Sequence, residues 1–253
     1  MNNMGIDIKN SDQVKIMAEG GKKLARIKKE LEAFVKPGMN ALDVENLVTP
    51  LIEKVGARPS FKMVPNYFWS TCININDGIV HGIPHKKLVF RQGDIVSIDL
   101  GIFYKGYHTD TSVSFLLGND PKKQNFLKVG EEALDKAIEV TRIGNKIGDI
   151  SKIIEKTLAQ SGFNPIRDLV GHGVGRKLHE RPFIPCFVSE GGDENVEIRE
   201  GFVLAIEVMY CLGKPNLIVD SDRWTIRTKD GKISGLFEDT VAVTKKGPEI
   251  LTN

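Results

Sequence analysis

Arg91-Gln-Gly-Asp-Ile-Val-Ser-Ile-Asp99 and Arg199-Glu-Gly-Phe-Val-Leu-Ala-Ile-Glu207 share a basic residue, a glycine two positions on, an aliphatic run and a closing acid. Aliphatic runs of this length behind a glycine turn read as strands. The likeness extends upstream. Lys36-Pro-Gly-Met-Asn-Ala-Leu-Asp43 matches Arg142-Ile-Gly-Asn-Lys-Ile-Gly-Asp149, so that Gly38 falls on Gly144, Asp43 on Asp149 and, farther along, Gly56 on Gly162. Each of these segments follows a long stretch of helical periodicity. In residues 12–35 it runs through Val14, Met17, Leu24, Ile27, Leu31 and Phe34, with Ser11 or Asp12 as cap. In residues 122–140 it runs through Phe126, Val129, Ala133, Leu134, Ala137 and Ile138. Shorter helices follow over 40–55 and 147–160. Four segments recurring in one order imply a duplicated helix-helix-strand unit, with halves at roughly 12–115 and 122–243. The expectation is one pseudo-symmetric α/β domain over 1–253, its site at the seam between the two sets of strands, where the closing acids meet.

Composition narrows the class. A chain of 253 residues with 41% hydrophobic and 27% charged residues can bury its own core and is neither disordered nor fibrous. The net charge of +2 comes from basic residues in scattered doublets such as Lys28-Lys29, Lys86-Lys87 and Lys122-Lys123, so no nucleic-acid surface is expected. Cys72, Cys186 and Cys211 are odd in number and lack CxxC spacing, which points away from disulfides and cysteine zinc sites. Met1 to Lys9 has no apolar core followed by a small-residue cleavage site, and no apolar run approaches the ~20 residues needed to span a bilayer. These features predict a cytoplasmic protein.

The chemistry lies in acids placed where strands should be buried. Asp99 ends its aliphatic run, Asp110 sits in Tyr107-His-Thr-Asp-Thr-Ser-Val113 across a turn from it, Glu207 lies in Phe202-Val-Leu-Ala-Ile-Glu-Val-Met209, and Glu238 in Leu236-Phe-Glu-Asp-Thr-Val-Ala-Val243. A buried carboxylate is costly unless paired or bound to a cation, and several together raise one another's pKa. Candidate partners are His172 and His179 in Gly171-His-Gly-Val-Gly-Arg-Lys-Leu-His-Glu-Arg-Pro182 and His81 in Val80-His-Gly-Ile-Pro84. Oxygen donors with imidazole suit Mn, Fe, Co or Zn better than Mg or Ca. Any one of these residues alone reads as a turn former or surface group; in a repeat, with histidines in glycine-flanked loops, they read as a metal site.

This set of residues, in this order and spacing, resembles the type I methionine aminopeptidases over nearly the whole chain, from the first long helix to Thr240. The resemblance implies the pita-bread fold, in which duplicated units surround a curved antiparallel sheet. It implies two divalent ions, Co, Mn, Fe or Zn, with Asp99 on one, Asp110 and Glu238 bridging, and His172 and Glu207 completing the other's shell. Glu207 would be the general base, His179 would donate to the scissile carbonyl oxygen, and His81 would contact the scissile amide. Tyr67, Cys72 and Trp224 would line the methionine pocket. The expected partners are N-termini of newly made proteins and the ribosome, with the enzyme a monomer.

Three positions depart from the family pattern: Val208 stands where Pro is usual, Asp239 where His is usual, and Leu178 where Phe is usual. The nearest rival is an Xaa-Pro aminopeptidase or prolidase of the same fold, which normally carries a large extra N-terminal domain. A rival of another class is a non-catalytic binding module on this fold; it would have lost ligands, and all five positions are filled here. Ser70, Ser97 and Ser112 have no Gly-x-Ser-x-Gly setting, and neither a phosphate-binding loop nor a dinucleotide fingerprint is present.

Overall fold

In a computed structural model, residues 5–253 are described; the first four residues of the Met1 to Lys9 stretch lie outside them. The first part of the chain forms α1 (Ser11–Phe34), α2 (Ala41–Lys54), β1 (Arg58–Pro59), β2 (Thr71–Ile75), β3 (Gly78–Val80), β4 (Ile95–Tyr104) and β5 (Tyr107–Leu116). The rest forms α3 (Pro121–Val140), α4 (Ile147–Gln160), β6 (Asn164–Pro165), β7 (Val170–Gly173), β8 (Glu180–Pro185), β9 (Val203–Cys211), β10 (Leu217–Val219), β11 (Ile226–Thr228), β12 (Ser234–Thr244) and β13 (Gly247–Ile250).

The helix boundaries follow from their caps. Asn10, not Ser11 or Asp12, caps α1: its Oδ1 accepts the N–H groups of Asp12 and Gln13, while Gln13 reaches back to the Asn10 N–H at 2.8 Å. The apolar period begins only at Val14 and leaves the cap to side-chain reach, and Asn-x-x-Gln is the pair that closes reciprocally. Phe34, expected on the buried face, ends the helix 36% exposed. The two short helices start alike. Asn40 N–H donates to Asp43 Oδ2 at 2.9 Å and Lys146 N–H to Asp149 Oδ2 at 2.8 Å, each after a glycine at φ near +90° (Gly38 +93°, Gly144 +91°) that only glycine adopts freely.

Every strand pair is antiparallel. The main sheet of ten strands runs β1-β4-β5-β12-β9-β7-β8, with β2 also on β4, β6 also on β9 and β13 on β12; β10, β11 and β3 form a small second sheet. The short strand before each half's central strand pairs with its far end in the same manner, Pro59 with Ile102 and Pro165 with Tyr210. Alternation along the strands then decides which side chains meet the helices. Ile98, Leu100 and Ile102 of β4 pack with Leu24, Leu31, Val44 and Val48 of α1 and α2. Leu204, Ile206 and Val208 of β9 pack with Phe126, Ala133, Ile150 and Ile154 of α3 and α4. Asp99 and Glu207 sit one position out of step with these residues and so point to the opposite face, away from the helices. Val208 continues the ladder opposite Phe237, where a proline would lack the N–H.

Candidate metal centre and active site

Register assembles the acids. Asp99 pairs with Ser112, Ser112 with Glu238, and Glu238 with Glu207, so one row across β4, β5, β12 and β9 carries three carboxylates on one face. Opposite neighbours in such a row have Cβ atoms about 5 Å apart. Asp110 lies two residues from Ser112 along β5, opposite Gly101; a Cβ on Gly101 would stand 2.9 Å from Asp110 Oδ1, so glycine there leaves room for the carboxylate. His172 pairs with Ala205, two residues from Glu207, and its Nε2 lies 3.4 Å from Glu207 Oε1. Donor atoms of Asp110, His172 and Glu238 lie within 4.8 Å of one another.

The surroundings hold this row rigidly. Asp110 exchanges two hydrogen bonds with Thr240, its N–H donating to Oγ1 at 2.9 Å and its carbonyl accepting from that hydroxyl at 2.8 Å. Thr111 Oγ1 donates to the Glu238 carbonyl at 2.8 Å. His172 Nδ1 faces the Gly173 carbonyl at 2.9 Å, an acceptor only, so the proton belongs on Nδ1 and the Nε2 lone pair turns to the carboxylates.

The electrostatics call for a cation. Burial raises the Asp99 pKa well above the usual range, with Asp110 and Glu207 adding to it; burial, then Asp110, does the same to Glu207. Burial, followed by the neighbouring acids, raises Glu238, and burial pushes Asp110 up to about 7 against one opposing hydrogen bond from Thr111. Burial, then His179, lowers His172 to about 3, which keeps it a neutral ligand. Asp99 Oδ1 and Glu238 Oε1 are buried without a hydrogen-bond partner among the described residues. Convergent acids, a neutral imidazole and two orphaned oxygens fit divalent metal and fit little else.

Beside the acids the cavity, about 150 Å³, turns apolar. Tyr67, Cys72 and Leu178 form a small cluster with Phe61, against which Val64 and Trp224 pack. Tyr67 donates to the Thr71 carbonyl at 2.8 Å and meets Trp224 edge-on, ring centres 5.0 Å apart. His81 holds a left-handed backbone at φ +58°, uncommon for a non-glycine residue and typical of a constrained site, and burial with His179 nearby lowers its pKa to about 4. His179 stands exposed at the rim, its ring edge-to-face with His172 at 4.5 Å.

All ten residues singled out from the sequence, Tyr67, Cys72, His81, Asp99, Asp110, His172, His179, Glu207, Trp224 and Glu238, line this one cavity. Sequence reading missed Phe61, Val64 and Val80. Phe61 and Val64 are three apart around a single 3₁₀ turn, which eclipses them on one side; the spacing was the available signal, too short to register as a period. Also missed was the setting of Asp239, which accepts from Lys28 Nζ at 3.0 Å, Thr111 Oγ1 at 3.1 Å and Thr252 Oγ1 at 2.7 Å. Its charge is thereby tied to Lys28 on α1.

Fold and site together define a metal-dependent peptidase, and the chain belongs to metallopeptidase family M24, whose model matches residues 15–245. Within that family it is 40% identical to the methionine aminopeptidase of Aquifex aeolicus, over 98% of this chain and 99% of the relative. The structure of the methionine aminopeptidase from Thermotoga maritima superposes with a TM-score of 0.94 at 40% identity, covering 98% of this chain and 99% of that one, and carries the pita-bread fold to this protein. The prolidase of Pyrococcus horikoshii shares the fold alone, with a TM-score of 0.79 at 24% identity, over 99% of this chain and 64% of its own length. No helix of the described residues is long and apolar enough to cross a membrane.

Proposed function

We propose that this protein is a methionyl aminopeptidase that removes the initiator methionine from newly made proteins, favouring a small second residue. The observation that carries the reading is the carboxylate row, Asp99, Glu238 and Glu207 with Asp110 beside it, opening onto an aromatic-lined apolar pocket. Asp99, Asp110, His172, Glu207 and Glu238 would hold two divalent ions, drawn from Co, Mn, Fe and Zn. Such ions supply polarisation of the scissile carbonyl and lower the pKa of water from about 15.7 towards 7.

The chain's own groups do the rest. The apolar end, walled by Phe61, Tyr67, Cys72, Leu178 and Trp224, accepts one unbranched thioether side chain, whose sulfur gains from aromatic contact. The acidic end beside it suits a free, positively charged α-amine, which makes the residue filling the apolar end the first of its chain. Glu207 takes the proton of the attacking water and returns it to the leaving amine. His179, at the rim, donates to the carbonyl oxygen as charge gathers there, and His81, kept neutral by burial, holds the scissile amide. We further propose that residues 1–253 act as one catalytic domain of two related halves, about 12–115 and 122–243. The matched caps at Asn40 and Lys146 and the matched prolines at 59 and 165 support that reading. Action as a monomer in the cytoplasm, near ribosomes, completes the proposal; failure to co-sediment with ribosomes removes the last part.

The shared donor set keeps an Xaa-Pro peptidase as the second reading. The deciding experiment strips the protein with a chelator, restores Mn, Fe, Co or Zn, and follows release of the first residue from Met-Ala-Ser and from Ala-Pro-Ala, beside Glu207→Gln. Metal-dependent release of methionine alone, lost in the variant, supports the proposal; cleavage of Ala-Pro-Ala moves the protein to the rival class, and no cleavage with any metal points to a binding module.

A further inference from the structure

Lys9 is only 3% exposed, an unusual place for an ammonium group. Its Nζ donates to Glu180 Oε2 at 2.5 Å and to the Asp7 carbonyl at 3.1 Å. The other oxygen of the same carboxylate, Glu180 Oε1, accepts the Lys177 N–H at 2.9 Å and so closes the loop whose inner residues are Leu178 and His179. Both of those residues line the catalytic cavity. Lys9 is itself anchored: its N–H donates to the Gly201 carbonyl at 2.8 Å, and a Cβ on Gly175 or on Gly201 would collide with its side chain or its carbonyl. Gly175, the other foot of the loop, accepts the His108 N–H at 2.7 Å. The segment before α1 thus passes under the loop and fastens it from below.

His179 has particular need of such fastening. The residue lies at the cavity rim, its ring held on one side by His172, and its direction depends also on the backbone that carries it. We propose that Lys9 is a positioning residue for His179: residues 5–9 form a strap whose buried ammonium holds the Glu180 carboxylate, and Glu180 in turn holds the loop that presents His179 to the substrate. The inference rests on the reading of His179 as the donor to the scissile carbonyl. A donor displaced by about 1 Å loses rate by up to 10²-fold while substrate binding through the methionine side chain is kept.

The test uses the Mn-loaded full chain and Met-Ala-Ser. Lys9→Met keeps the aliphatic stem and removes the charge; kcat should fall about 10- to 100-fold with KM nearly unchanged. In a His179→Ala background the same substitution should cost almost nothing more, because two residues acting through one group are not additive. Hydrogen exchange supplies a readout independent of activity: amides 177–180 should exchange faster in Lys9→Met while those of β9 do not. Lys9→Met/Glu180→Met, a buried pair replaced by apolar side chains of similar volume, should recover thermal stability yet stay slow, since the Lys177 N–H has lost its acceptor. Recovery of kcat together with stability would show a purely structural pair and overturn the inference, as would additive losses with His179→Ala or unchanged exchange at 177–180. A wild type that releases no methionine, or a His179→Ala variant at full rate, would instead bring down the functional reading and this inference with it.

Discussion

Asp110→Asn should stabilise the metal-free protein at alkaline pH. Asp110 is 4% exposed and burial lifts its pKa from 3.8 to about 7. The folded state therefore binds the proton more tightly than the unfolded chain, whose carboxyl titrates near 4. Between those two values the native state carries the extra proton, and stability drains away as pH rises through the window. A rise from 3.8 to about 7, at about 1.36 kcal/mol per tenfold change in proton affinity, gives roughly 4 kcal/mol lost above pH 7 relative to below pH 4. For a chain of this size each kcal/mol moves the melting temperature by about 2–4 °C, so roughly 8–16 °C is at stake. Asparagine keeps the shape and the Oδ1 that accepts the Thr111 N–H at 3.2 Å, yet carries no charge. The assay is thermal unfolding of chelator-stripped wild type and Asp110→Asn at pH 5 and pH 8. The variant's advantage should grow with pH, and adding Mn at pH 8 should raise the wild type above the variant. An advantage equal at both pH values, or a variant less stable than wild type at pH 8 without metal, would refute the reading that the buried Asp110 charge is costly without a cation.

Three other outcomes follow from the same structure. Lys28→Met leaves Asp239, 16% exposed at its side chain, without its cation, and urea unfolding should show a loss of about 1–3 kcal/mol that Lys28→Met/Asp239→Asn largely restores. Trp224→Ala opens the apolar end of the cavity; KM for methionyl peptides should rise, and discrimination against an N-terminal leucine or phenylalanine should weaken by about 10-fold or more in kcat/KM. Glu207→Gln should lower kcat by about 10²- to 10⁴-fold with the fold intact by circular dichroism; a loss below tenfold would remove Glu207 from the role of general base.

Much of this protein is legible in its residues alone. Helical periods in α1 and α3, the glycine-Asp openings of α2 and α4, and the acids closing two matched strands are local patterns that backbone sterics and side-chain alternation enforce within a few residues. That Asp99 and Glu207 face away from the helices is already implied by their phase against Ile98 and Ile206. The cap at Asn10 lies one or two residues before the expected ones and Phe34 is exposed at the helix's last residue; both fall at helix ends, where competing caps and frayed ends carry little local signal.

Whatever depends on pairing across long stretches of chain emerges only in the folded protein. The row from Asp99 through Ser112 and Glu238 to Glu207 exists only because β12 inserts between β5 and β9 in one register; a slip of one residue would turn Glu238 into the core. The wall contributed by Phe61 and Val64, the tie of Asp239 to Lys28 on α1, and the strap from Lys9 to Glu180 join residues far apart in the chain. Composition and period, being local, mark which residues are chemically able to form the site. Their distances, their neutralising partners and the loop that aims His179 were decided by the sheet's closure, because long-range register is set by the packing of the whole and not by any one segment.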